Sequence, residues 1–146
     1  MVNNYKKVLV VSPHTDDGEL GAGGTISKLI ENGCEVFYLA FSAAEDSVPK
    51  EFKKNILHFE AAKATEKLGI LKKNLFILNY KVRTMNEFRQ SILDDLIVYK
   101  KKINPDLVLI PATQDVHQDH SVITDESIRA FKFSTILGYE LIWNMF

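Results

Sequence analysis

Apolar positions fall into two alternating rhythms along the chain. Short unbroken runs at Val8-Leu9-Val10-Val11, Glu35 to Phe41, Leu75 to Leu78, Leu107 to Pro111 and Thr135 to Tyr139 predict strands. The first, β-branched and aliphatic throughout, suits a parallel strand buried on both faces. Between the runs, apolar residues recur at helical spacing. One helix is predicted to begin near Glu19 to Gly24, to carry Ile26, Leu29 and Ile30, and to end at Asn32-Gly33, where glycine fits a left-handed cap. A second is predicted from Lys50, with Leu57, Ala61, Ala64 and Leu68 on one face and Gly69 as its stop. A third follows Thr84 to Glu87, which has capping-box spacing, and shows Ile92, Leu96, Tyr99 and Ile103 before Asn104-Pro105. A fourth covers about Ser121 to Phe131. Repeated β-α-β units with right-handed crossovers predict an α/β fold, a Rossmann-like three-layer α/β/α sandwich around a mostly parallel sheet.

Size and composition narrow the function classes. The 146 residues read as a single domain, 1–146, able to bury roughly two-thirds of its unfolded surface. With 46% hydrophobic and 25% charged residues, the chain is neither disordered nor fibrous. A formal net charge of -1 gives no general pull toward nucleic acid or an anionic membrane. Lys100-Lys101-Lys102 is the one basic run, and it is expected to complement a helix dipole while staying solvated. Cys34 alone cannot form an internal disulfide, and it is expected to be a small buried hydrophobe. No apolar run has transmembrane length and MVNNYKK lacks the apolar core of a signal peptide, so a cytoplasmic location is expected.

The chemistry gathers where two strands end. After the first come His14, Asp16 and Asp17, and after Leu107 to Pro111 come Asp115, His117, Asp119 and His120. In open α/β sheets ligands bind outside the carboxyl ends of the strands, so the fold can bring the two segments together. Two histidines and a carboxylate commonly hold a divalent metal while leaving positions for water and substrate, and such ligands accommodate ferrous iron as well as zinc. Taken singly, a loop histidine is usually a surface or hydrogen-bonding group, and paired aspartates often only cap a helix. Three of the four histidines nevertheless sit in these two segments. His58, inside a helix, is assigned a structural or surface role.

The segment from His14 to Ile26, HTDDGELGAGGTI, resembles the HPDDxE-LG-GGT signature of the PIG-L/LmbE family of zinc-dependent N-deacetylases. His117-Gln118-Asp119-His120 resembles that family's HxDH motif, and Glu60-Ala61, Leu68-Gly69-Ile70 and Lys102 to Leu107 match weaker features in the same order. The resemblance implies that His14, Asp17 and His120 are metal ligands, with Zn2+ as cofactor. It implies Asp16 as general base, and His117, oriented by Asp119, as electrophile or general acid. The implied substrate is an N-acetylated amino sugar conjugate of the N-acetylglucosamine type.

The chain also departs from the pattern. Thr15 replaces the usual proline, and Leu57 stands where several members carry a substrate-contacting arginine. Arg83 is the candidate replacement, with Arg89 a second. Family members usually continue beyond the equivalent of Tyr139 to Asn144, so the apolar tail (Leu141, Ile142, Trp143, Met145, Phe146) points to a fragment or to a homo-oligomer that covers it. Other readings stay open here: a metal-dependent esterase or phosphoesterase using the same residues, a folded but inactive truncated member, and a nucleotide-binding module. The last fits poorly, because Gly21 to Gly24 do not make G-x-G-x-x-G and carboxylates crowd the position of a phosphate. Close helix-on-strand packing is the simpler reading of those glycines.

Overall fold

The computed structural model describes residues 5–145. Five strands, β1 (Lys7–His14), β2 (Glu35–Ser42), β3 (Leu75–Ile77), β4 (Leu107–Pro111) and β5 (Thr135–Tyr139), form one sheet in the order β3-β2-β1-β4-β5. Every pairing between them is parallel, so the expected mostly parallel sheet is wholly parallel among the described residues. Four helices connect them: α1 (Asp17–Glu31), α2 (Ile56–Leu68), α3 (Arg89–Ile103) and α4 (Gln118–Ala130).

Strand alternation divides the interior into two cores. Val8 and Val10 join Ile26 and Leu29 of α1 and Leu68 of α2 on one face of the sheet. On the other, Leu9 and Val11 join Ile92 and Leu96 of α3 and Ile123 of α4. This is the three-layer α/β/α sandwich, and it explains why β1 is apolar at successive positions rather than at alternate ones. The order places β1 between β2 and β4, so the chain winds one way from β1 to β3 and the other from β4 to β5. The crevice outside the carboxyl ends of β1 and β4 is the switch point where such folds bind ligands.

Several elements differ from their predicted form. The second helix starts at Ile56 rather than Lys50, because Lys50 to Lys54 are all exposed and, apart from Phe52, charged, and form turns, with Phe52 N–H on the Pro49 carbonyl and Ile56 N–H on that of Lys53. Thr84 caps nothing with its side chain: its hydroxyl donates to the Lys81 carbonyl, a short 3-10 turn over Met85–Phe88 follows, and α3 begins at Arg89. Lys100 and Lys102 are not merely solvated. The Lys100 ammonium donates to the Ala130 carbonyl at 2.7 Å, closing the last turn of α4, and Lys102 lies 4.2 Å over the Phe76 ring. Of the glycines, Gly21 fits the packing explanation, since a Cβ there would meet the Tyr139 ring, whereas Gly24 faces open space. Cys34 is buried, with its thiol on the Tyr5 carbonyl, and His58 pairs with Glu45 at the surface. The tail divides: Leu141 is buried while Ile142 and Trp143 are exposed, and Phe146 lies outside the described residues. No helix among the described residues is long and apolar enough to cross a membrane.

Candidate metal centre and active site

Two turns separated by about a hundred residues deliver the site. β1 ends at His14, and the next residues turn directly into α1, so His14 and Asp17 sit within one tight bend. The Asp17 carboxylate closes that bend by accepting the His14 N–H at 2.8 Å. Behind it, a buried hydroxyl cluster pins the backbone: Tyr38 Oη donates to the Thr15 carbonyl at 3.1 Å and lies 3.0 Å from Ser12 Oγ. The Gly18 N–H reaches both hydroxyl oxygens, and Gly18 is required here because a Cβ would lie 2.7 Å from Val10 Cγ1. On the other side, β4 runs into the turn Asp115 to His117, and the His117 imidazole forms the N-cap of α4 by accepting the Asp119 N–H through Nδ1 at 3.2 Å.

These turns bring His14, Asp17 and His120 together. Asp17 Oδ2 lies 3.0 Å from His14 Nδ1 and 3.1 Å from His120 Nε2, and the two nitrogens are 3.3 Å apart. Four-coordinate zinc, with ligands at about 2.0–2.2 Å, separates its donors by about 3.3 Å, so this triangle fits a divalent ion with only small adjustment. Imidazole and carboxylate donors also suit ferrous iron. His117 is close as well: the nitrogens of His14, His117 and His120 fall within 4.8 Å of one another.

Each of the two imidazoles in the triangle is backed by a carboxylate on its far nitrogen. His120 Nδ1 lies 2.7 Å from Asp115 Oδ2, and His14 Nε2 lies 3.1 Å from Asp119 Oδ2. Such pairs fix the ring orientation and the tautomer that faces a metal. The carboxylates are themselves held. Asp115 accepts the His117 N–H at 2.8 Å and the Asn144 amide at 3.3 Å, while Asp119 accepts the Arg83 N–H at 2.7 Å. Asp119 therefore differs from its expected use. Its carboxylate turns to His14, and it is its backbone N–H that orients His117. Asp115, one of the polar residues gathered after β4, carries no expected role of its own, and its contact with His120 supplies one.

The charges follow from these contacts. Burial alone would lower the His14 imidazole, but the Asp119 and Asp17 carboxylates outweigh it and raise it to about 9. His120 is also raised, burial being outweighed by Asp17 and Asp115. Asp17, pushed up by burial, is held well below the usual carboxylate range by the two imidazoles. His117 goes the other way: burial, then the nearby His120 and His14, lower it. A neutral His117 whose Nδ1 accepts the backbone N–H presents Nε2–H as a donor.

A cleft of about 400 Å³ opens over these groups, lined among others by Asp16, Leu57, Arg83, His117 and Trp143. Asp16 is exposed at its mouth. Arg83 lines it with φ of 66°, a left-handed backbone that its N–H bond to Asp119 and the Gln118 amide on its carbonyl hold in place. Arg89 is not available to it, since its guanidinium is tied to the Asp125 and Glu126 carboxylates of α4.

Known proteins resemble this chain in sequence and in fold. A diacetylchitobiose deacetylase of Thermococcus kodakarensis is 29% identical over 145 residues, covering 94% of this chain and 53% of the relative. A probable N-acetyl-alpha-D-glucosaminyl L-malate deacetylase 2 of Bacillus cereus is 29% identical over 140 residues, covering 86% of this chain and 60% of its own. The solved structure of the N,N'-diacetylchitobiose deacetylase from Pyrococcus horikoshii, complexed with an inhibitor, superposes with a TM-score of 0.76 at 28% identity, over 89% of this chain and 51% of that one. The chain thus spans between half and two-thirds of the length of the relatives it matches. The PIG-L family model, described as GlcNAc-PI de-N-acetylase, matches residues 9–131, and the chain belongs to that family.

Proposed function

We propose that this chain carries a metal-dependent amide hydrolase site that removes the acetyl group from an N-acetylglucosamine-type sugar. The observation that carries the reading is the donor triangle of His14 Nδ1, Asp17 Oδ2 and His120 Nε2, with separations of 3.0 to 3.3 Å, in the lining of a cleft. Relatives named for deacetylation of acetylated glucosamine derivatives support the substrate class.

His14, Asp17 and His120 are the proposed ligands and zinc the proposed ion. When bound there, a divalent ion supplies Lewis acidity, easing ionisation of water and polarising the amide carbonyl. Asp16, exposed beside the ligands with no side-chain capping bond, takes the proton as water attacks the carbonyl carbon. The negative charge that develops on the carbonyl oxygen is met by the Nε2–H of His117, whose ring is already oriented by the Asp119 N–H. The tetrahedral species collapses by breaking the C–N bond, and Asp16 returns its proton to the leaving nitrogen, giving acetate and a free amino sugar. Asp119 and Asp115 contribute by holding His14 and His120. Arg83, in the lining of the cleft, is the proposed contact for substrate hydroxyls in place of the arginine that Leu57 replaces.

The test is acetate release from N-acetylglucosamine glycosides by the zinc-loaded protein, with metal content measured on the same sample and Asp16→Asn as control. Turnover lost in the variant at unchanged metal content supports the reading. Turnover of esters or phosphoesters with none of amides would replace it by the alternative hydrolase, and a protein that takes up no metal would end it.

A further inference from the structure

The two imidazoles of the donor triangle are backed unequally. Behind His14, the Asp119 carboxylate is fixed by main-chain donors, the N–H groups of Arg83 at 2.7 Å and Met85 at 3.4 Å. Behind His120, Asp115 has one such donor, the His117 N–H at 2.8 Å, and it falls on Oδ1. The oxygen that faces His120 is Oδ2, and its other contact is a side chain. The Asn144 carboxamide donates to it at 3.3 Å and lies 3.5 Å from His120 Nδ1. Asn144 belongs to neither histidine-containing segment. It closes a 3-10 turn over Ile142–Asn144, beyond β5.

That turn has few other attachments. Leu141, 1% exposed, anchors its start, but Ile142 and Trp143 are 85% and 58% exposed. Within it, the Asn144 N–H donates to the Leu141 carbonyl at 2.8 Å, and the Asn144 carbonyl accepts the Val116 N–H at 3.2 Å. Asn144 therefore ties the turn to the segment after β4 twice, once by main chain and once by side chain. Its neighbour Trp143 lines the cleft together with His14, His117 and His120. A segment with so little buried apolar contact has low local stability, so one more bond changes its occupancy appreciably.

We propose that Asn144 is a positioning residue that, through Asp115, couples metal binding at His120 to the placement of Trp143 as a wall of the cleft. The inference rests on the metal-centre reading and adds to it a residue outside both motifs. A histidine that holds an ion through Nε2 carries its proton on Nδ1 and donates it to its carboxylate, which fixes Asp115 Oδ2 where Asn144 reaches it. The coupling is reciprocal: a docked turn favours the ion by the same factor as the ion favours the docked turn. One such hydrogen bond is worth roughly a two- to tenfold factor.

Trp143 is the single tryptophan of the chain, so its fluorescence reads the turn without reference to activity. The test is acrylamide quenching of Trp143 in the full chain with and without zinc, with zinc affinity measured by chelator competition. Zinc is expected to reduce the quenching of the unsubstituted protein. Asn144→Ala is expected to abolish that reduction and to weaken zinc binding about two- to tenfold. Asn144→Leu, of similar size but with no donor, should behave as the alanine variant does. In the Asp115→Asn background, Asn144→Ala should change zinc affinity no further, because the path through Asp115 is already cut. Normal zinc uptake with quenching that zinc does not alter overturns the inference and leaves the metal centre standing. So does a zinc response retained in Asn144→Leu, which would make Asn144 a space filler, or an additive loss in the double variant. A protein that takes up no zinc overturns both readings.

Discussion

His120 and Asp115 share a 2.7 Å contact in which the two side chains are 2% and 1% exposed, so the imidazole is held by a carboxylate that solvent does not reach. The opposite ring nitrogen, Nε2, is the one that faces Asp17 and His14. Removing the carboxylate frees the ring to rotate and to change tautomer. Asp115→Asn is therefore expected to weaken zinc binding by about 10- to 100-fold, measured by competition with a chromophoric chelator. Circular dichroism should show the fold retained. Unchanged affinity in a folded variant would mean that Asp115 is only a turn residue.

Asp16 lines the same cleft as His14, Asp17 and His120 but is not among the proposed ligands. Asp16→Asn is expected to lower kcat by about 10²- to 10⁴-fold at unaltered metal stoichiometry. Asp17→Asn should lower metal content first and activity as a consequence. If the two variants behave alike, the division between base and ligand is wrong.

In the metal-free protein His14 is raised to about 9 against an ordinary 6.5, because Asp119 and Asp17 together outweigh burial. A histidine raised on folding adds stability that is complete below the unfolded value, near 6.5, and disappears as pH rises through the folded value. The metal-free protein should therefore lose thermal stability between pH 6.5 and 9. A metal ion must displace that proton, so zinc affinity should climb over the same window by up to about tenfold per pH unit. The zinc-loaded protein should not show the decline. Melting curves across this range with and without zinc check both signs, and a metal-free protein whose stability is flat or rises there would contradict them.

Gly21 and Gly24 make a matched pair within one helix. A Cβ on Gly21 would run into the buried Tyr139 ring, whose hydroxyl holds the Val11 carbonyl, whereas a Cβ on Gly24 meets nothing within 4 Å. Gly21→Ala should cost about 1–3 kcal/mol through overpacking. Gly24→Ala should add roughly 0.5–1 kcal/mol through helix propensity. For a chain of this size each kilocalorie moves Tm by about 2–4 °C, and two shifts of the same sign would refute the distinction.

The sheet was legible because parallel strands buried on both faces leave continuous apolar runs, as at Val8 to Val11 and Leu107 to Pro111. The helix starts were less so. The apolar stripe of α2 was read back into Lys50 to Lys54, where charged residues have no core to face, and the Thr84 to Glu87 spacing suggested a cap that Thr84 gives instead to the Lys81 carbonyl. For the site, which residues gather was readable from two histidine- and aspartate-rich strand ends. Which carboxylate serves which imidazole was not, since that depends on which ring nitrogen faces inward, a matter of χ angles and of the N–H groups of Arg83 and His117 that fix Asp119 and Asp115. Arg83 and Arg89 were indistinguishable as letters. Only the packing of α3 on α4 commits Arg89 to Asp125 and Glu126 and leaves Arg83 to the cleft.

Because β4 inserts beside β1 rather than beside β3, His14 meets His120 only after a stretch of 106 residues has been closed. Closing so long a loop costs entropy that local contacts do not repay, so the half built on β1 to β3 can assemble before any binding centre exists. An ion held at the proposed site would be gripped by both halves, and would favour the finished chain over every partly assembled one as its concentration rises. Metal supply would thereby govern how much of this protein survives in its folded form, quite apart from how fast it turns anything over.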